Sequence, residues 1–221
     1  MNILCLNTAF SEAQIAVEYN SKSYFEKLDS DCKHSENLLI AVEKVFDKII
    51  QTEKLTINSN KILKNIDYIS VVIGPGSFTG IRIATASAKA ILLTNSRMKA
   101  IGINTLELIG YEFISKNKVK EKITPVIDAL SGLYFVAEFN KNLELITAPK
   151  MIEEATLKNY NFLISNDESI SKNFISLSPE NLLSLTKKKI SENKITSENE
   201  LIPLYIRPSQ AEAELCKKSK N

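Results

Sequence analysis

The chain has 221 residues, 44% hydrophobic and 24% charged, with 28 basic against 26 acidic side chains and a net charge of +2. That length is long for one lobe and short for two full domains, and charge so evenly balanced gives no ground for nucleic-acid binding by charge alone. No apolar run reaches the ~18–20 residues of a membrane span, and MNILCLNTAF has no basic segment ahead of its apolar residues, so no signal peptide is expected and the reading places the chain in the cytoplasm.

Residues 3–6, ILCL, suit a buried central strand. Ile15, Val17 and Tyr19 alternate with polar or small neighbours, as in a half-buried strand, and residues 23–28 can form a third. The turns between them are short, which predicts an antiparallel meander. Ser35 can cap a helix, with Glu36 in its first turn. Leu38, Leu39, Val42, Val45, Phe46 and Ile49 then recur at helical spacing, predicting an amphipathic helix to about residue 51. A polar connector leads to an almost wholly apolar strand over 68–73.

The loop GPGSFTG follows, and then a helix predicted over 80–95, unusually rich in Ala84, Ala86, Ser87, Ala88 and Ala90. Small residues allow close approach of another element. Residues 99–103 read as a strand, and Thr105 can cap a helix carrying Leu106, Ile109 and Phe113. The order β-β-β-α-β-α-β-α implies a mixed sheet flanked by helices. The basic stretch 116–122 can be a lobe boundary or a solvated loop. Beyond it, 123–127, 133–139 and 161–165 read as strands, with a turn at 129–132. Ser178 and Pro179 open a helix with Leu182, Leu183, Leu185 and Ile190.

The loop joins a strand end to a helix start. Helical N–H groups there lack internal partners, the dipole is positive, and glycines let a ligand approach. Such ends bind anions, and Ser77, Thr79 and Arg82 add donors and charge. The alternative is a capped corner, with Ser77 or Thr79 as N-cap and Arg82 in an ion pair. The loop is neither GxxxxGK[ST], because Ile81 follows Gly80, nor GxGxxG, because Gly74, Gly76 and Gly80 are wrongly spaced. Cys5, Cys32 and Cys216 are too far apart for a metal knuckle or redox pair, and Cys5 suits a core.

GPGSFTGIR resembles the signature of the TsaB (YeaZ) family, bacterial proteins of tRNA threonylcarbamoyladenosine biosynthesis. ILCLNTA, KHSENLL (33–39), IGINTLELI (101–109), IDALSGLYFVAEF (127–139) and PLYIR (203–207) resemble further segments of that family. The resemblance implies an α/β, actin/hexokinase/Hsp70-like (ribonuclease H-like) fold of two lobes with a reduced second lobe. The expected division is 1–118, 119–208 and a polar, disordered tail over 209–221.

The resemblance also implies a relation to TsaD proteins, which transfer a threonylcarbamoyl group to an adenosine beside the anticodon and hold metal through two histidines four apart. His34 is the only histidine here, and Leu38 stands four residues on, so no metal site is expected. Asn7 stands where many family members carry an aspartate that works with metal-bound phosphate. The implied function is a non-catalytic scaffold that binds and activates a TsaD-type transferase, with tRNA reached only through the complex. A TsaE-type ATPase is an open further partner, and the isolated chain can pair with itself. The implied partner face comprises Leu38, Leu39, Val42, Phe46, Ile83, Ala84, Ser87, Ala88 and Ile91; by residue physics alone, the small face can equally pack on its own sheet. Asn7, Thr8, Gly74, Gly76, Ser77, Thr79 and Arg82 are the candidate phosphate contacts. No cofactor is expected to be intrinsic, with ATP or ADP at the complex interface left open. The competing readings are an ATP-binding or ATP-hydrolysing enzyme of the same fold, against which Asn7 argues, and a metallopeptidase-like enzyme, against which the single histidine argues.

Overall fold

The computed structural model describes residues 1–28 and 34–206, except the side chains of 34–36. The first sheet has five strands: β1 (Ile3–Asn7), β2 (Ala13–Tyr19), β3 (Lys22–Leu28), β4 (Tyr68–Gly74) and β5 (Lys99–Asn104), in the order β3-β2-β1-β4-β5. β1, β2 and β3 form the antiparallel meander, while β4 runs parallel to both β1 and β5. This is the mixed sheet of the ribonuclease H-like architecture that the sequence implies.

Side chains alternate across a strand, and β1 shows the result. Leu4 and Leu6 point into one apolar core with α1 (His34–Glu53) and α3 (Phe78–Leu92). Ile3 and Cys5 point into a second core with α4 (Thr105–Lys116) and α6 (Pro179–Ser191). Each fully buried aliphatic side chain is worth about 1.5–3 kcal/mol, so a strand covered on both faces anchors the whole arrangement.

β2 is buried at every position, not half-buried as its alternation predicts. Its polar face is covered by late parts of the chain. Gln14 donates to the Leu177 carbonyl at 2.9 Å, and Glu18 pairs with Lys187 of α6. A polar residue can therefore be buried here because α6 brings it a partner.

The second sheet, β8-β7-β6-β9, is built from β6 (Lys122–Asp128), β7 (Leu133–Asn140), β8 (Leu145–Glu153) and the short β9 (Leu163–Ile164). Ile123, Ile127, Ala137 and Phe139 share the α4–α6 core, which joins the two sheets. Among the described residues no helix is long and apolar enough to cross a membrane.

Several local features depart from expectation. α2 (Ser59–Lys64) lies in the polar connector; its only buried residue is Ile62, too little for a visible apolar stripe. β8 and the short α5 (Glu154–Leu157) were likewise not signalled. α3 starts at Phe78, with Ser77 as N-cap, and ends at Leu92. α4 is capped by Asn104 rather than Thr105: Asn104 Oδ1 accepts from the N–H groups of Leu106 and Glu107. α1 begins at His34, which puts Ser35 inside the helix. Ser178 caps α6 with Pro179 next, as the sequence indicates. Cys32, Arg207 and the expected tail lie outside the described residues.

Candidate functional site: a filled corner and an apolar cleft

The loop after β4 is a corner packed against the β1–β2 turn. Gly74 and Gly76 have φ of +112° and +154°, values that favour glycine. Close approach demands glycine at 76 as well, and at 80. A Cβ on Gly76 would stand 2.5 Å from the Ala9 carbonyl oxygen, and one on Gly80 would stand 1.9 Å from the Thr8 carbonyl oxygen. The two segments are then tied together. The Ser77 N–H donates to the Ala9 carbonyl at 2.8 Å, and the Thr8 hydroxyl donates to the Gly80 carbonyl at 2.6 Å.

The helix start is satisfied from within. Ser77 Oγ accepts from the Gly80 N–H at 3.2 Å, and the Ser77 carbonyl accepts from the Ile81 N–H at 2.9 Å. Asn7 is fully buried; its Oδ1 accepts from the Ala9 N–H at 3.1 Å and its amide donates to Gln14 at 3.2 Å. Of the candidate phosphate contacts, Asn7 and Thr8 are thus consumed by the fold, and Gly74 and Gly76 serve backbone geometry. Ser77, Thr79 and Arg82 are exposed.

Arg82 makes no ion pair among the described residues. Its guanidinium lies 3.8 Å from the centroid of the Phe78 ring, and its Nε donates to the Tyr205 hydroxyl at 2.7 Å. The Phe78 and Tyr205 rings sit 5.5 Å apart, and the Leu204 N–H donates to the Ile73 carbonyl at 2.7 Å. Residues 203–206 are thereby strapped across the corner. This role was not read from PLYIR; the pairing of Arg82 with Tyr205, far along the chain, leaves no local sequence signal.

Corner, strap and β6–β7 turn enclose a cleft of about 700 Å³. Phe10, Pro75, Phe78, Leu130, Phe135 and Tyr205 contribute most of its character, and Asp128 is its one charged lining residue among the described residues. Asp128 Oδ1 accepts from the Leu130 N–H at 2.7 Å. Such a cleft suits a flat apolar group more than a phosphate. Among the described residues no group of three or more His, Cys, Asp or Glu could hold a metal. Cys5 belongs to the core: burial pushes its thiol up to about 12, and it donates to Thr186 Oγ1 at 3.5 Å.

The expected partner face needs correction. Leu38, Val42, Phe46, Ala84, Ala88 and Ile91 are buried in the core that α1 and α3 make with the sheet, so they offer almost no surface to another chain. Leu39 is 56% exposed, and Ile83 and Ser87 are half-buried. Ile40, at 50% exposure, and Leu93, at 78%, were not singled out, because helical spacing favours residues in register with the buried stripe.

Residues 29–210 match the family described as TsaD: tRNA N6-adenosine threonylcarbamoyltransferase. The TsaB protein of tRNA threonylcarbamoyladenosine biosynthesis from Buchnera aphidicola of Schizaphis graminum is 27% identical over 195 residues, spanning 85% of this chain and 86% of its own. The chain belongs to the TsaD family, in its TsaB (YeaZ) branch. Its TsaB counterpart in Escherichia coli is 24% identical over 165 residues, 70% of this chain and 65% of that one. The structure of YeaZ from Pseudomonas aeruginosa superposes with a TM-score of 0.71 at 17% identity, covering 92% of this chain and 99% of the other. A second structure, of a protein similar to peptidase YeaZ from the same organism, gives 0.73 at 16% identity, covering 93% and 99%. These two likenesses show the shared TsaB-type fold.

Proposed function

We propose that the chain is the non-catalytic subunit of a threonylcarbamoyladenosine-forming complex, binding and activating a TsaD-type transferase that modifies the adenosine beside the tRNA anticodon. The observation that carries this reading is the filled corner. The carbonyl oxygens of Thr8 and Ala9 press against Gly80 and Gly76, Ser77 Oγ already accepts from the Gly80 N–H, and Arg82 is held by Phe78 and Tyr205. Phosphoryl chemistry relies on several positioned charges and bridging metal; among the described residues the cleft offers Asp128 alone.

Docking would use the outward side of α1 and α3, where Leu39 and Ile40 are exposed and Ile83 and Ser87 half-exposed. Buried side chains of the same helices keep that surface rigid. An adenine nucleotide at the complex interface would meet the apolar cleft with its ring and leave its phosphates outside the corner.

The test is reconstitution with the TsaD protein of the same cell, tRNA and a threonylcarbamoyl donor. The chain alone should form no product, and its addition should raise product above TsaD alone. Turnover by the isolated chain, or failure to co-elute with TsaD, overturns the reading.

A further inference from the structure

A second pocket, of about 410 Å³, lies at the opposite end of the first sheet, where β1, β4 and β5 begin. Its character is the reverse of the cleft's. Lys64 and Arg97 line it, and neither has an ion pair among the described residues. Asn20 and Asn65 line it too, and their side-chain amides make no hydrogen bond among the described residues, while Asp67 is its one acidic residue among them.

The most telling group is Tyr19. It is 5% exposed, yet its hydroxyl bonds to nothing among the described residues. The hydroxyl is not sealed in the core either, since Thr105 Oγ1 is the one buried side-chain polar atom without a partner among those residues. Tyr19 is one of the residues that line the pocket. A hydroxyl that is reachable from outside and has no protein partner is free to donate to a ligand acceptor.

The walls are fixed in advance. The Asn2 amide donates to the Asn65 carbonyl at 2.9 Å, and Asn2 Oδ1 accepts from the Asn20 N–H at 3.0 Å. The Asn95 amide donates to the Lys64 and Ile66 carbonyls at 3.0 and 3.2 Å, and its Oδ1 accepts from the Arg97 N–H at 3.1 Å. The Asn2 N–H donates to Asp67 Oδ2 at 2.7 Å. Two asparagines thus hold three chain segments around one polar hollow.

We infer that this pocket binds a phosphate ester of nucleotide size. Two unpaired cations suit an anion with several acceptor oxygens, and the Tyr19 hydroxyl and asparagine amides add neutral donors. Asp67 suits a sugar hydroxyl donor rather than the phosphate. The volume exceeds what a bare phosphate needs and falls in the range of small-molecule sites. The inference stands apart from the proposed scaffold role, because it involves neither the cleft nor the outward faces of α1 and α3.

The experiment is calorimetric titration of the full chain with AMP, inorganic phosphate and a short oligoadenylate RNA at low salt. It is repeated for Tyr19→Phe and for the double variant Lys64→Gln, Arg97→Gln, with Tm as the folding control. Saturable binding of AMP is expected, about two- to tenfold weaker in Tyr19→Phe and at least about tenfold weaker in the double variant. Binding of AMP and RNA alike marks a free-nucleotide site, and binding of RNA alone marks a contact to the RNA backbone; both support a phosphate ester. Inorganic phosphate bound without either ester, no saturable binding of any of the three, or wild-type affinity in the double variant overturns the assignment.

Discussion

The carbonyl oxygen of Thr8 occupies the space a side chain on Gly80 would need, 1.9 Å from an ideal Cβ. The obstacle is backbone on both sides, so no rotamer change relieves it. Gly80→Ala should cost about 3 kcal/mol or more, the upper end of overpacking. At about 2–4 °C per kcal/mol for a chain of this size, Tm falls by roughly 6–12 °C. Gly132→Ala is the control: nothing lies within 4 Å of its Cβ position, and its φ of +73° is the only obstacle. That variant should lose about 1–2 kcal/mol. Equal losses in the two variants would show that close approach is not what Gly80 provides.

Arg82 and Tyr205 should show coupling in a double-mutant cycle. An exposed cation–π contact is worth about 0.5–1 kcal/mol, and a hydrogen bond about 0.5–1.5 kcal/mol net. Arg82→Ala and Tyr205→Ala, singly and together, should give a coupling of about 1 kcal/mol in denaturant unfolding. Additive losses would mean the strap is held by the Leu204 backbone bond and by the burial of Leu201 in the α1–α3 core, not by this pair.

Much of this architecture can be read along the chain. ILCL, the meander, the loop and the Ser178–Pro179 helix start carry their own local signals. What covers a helix does not. Leu38, Val42 and Phe46 form one apolar stripe whether a sheet or a partner lies over it, and only the folded chain shows that the sheet does. The Asn104 cap was displaced by one residue because Asn and Thr are both good caps side by side. The Arg82 clamp joins residues 123 positions apart, beyond any local pattern.

The corrected partner face separates two effects. Ala88→Leu inserts volume into the core and should cost about 1–3 kcal/mol of stability. Leu39→Asp with Ile40→Asp lies at exposed positions and should leave Tm nearly unchanged while abolishing co-elution with a TsaD-type partner. Retention of the complex by the latter variant would place docking elsewhere.

Cys5 should be unreactive. Burial raises its thiol from 9.0 to about 12, so peptide mapping after alkylation at pH 8 should find it unlabelled in folded protein and labelled in denaturant. Below pH 9 both states keep the proton. Between about 9 and 12 only the unfolded chain ionises, so stability declines as pH rises, by at most about 1.4 kcal/mol per pH unit. Labelling of native Cys5 at pH 8 would show that this face of β1 opens readily.

α6 lies near the end of the chain yet shields strands from its beginning, through Thr186 against Cys5 and Lys187 against Glu18. During synthesis, Ile3, Cys5 and Ala16 therefore leave the ribosome long before their cover exists. The part of that sheet face over β1 and β2 must wait open until residues 179–191 have been translated. A nascent chain stalled before residue 179 is accordingly a natural client for chaperones, and a truncation there should yield insoluble protein.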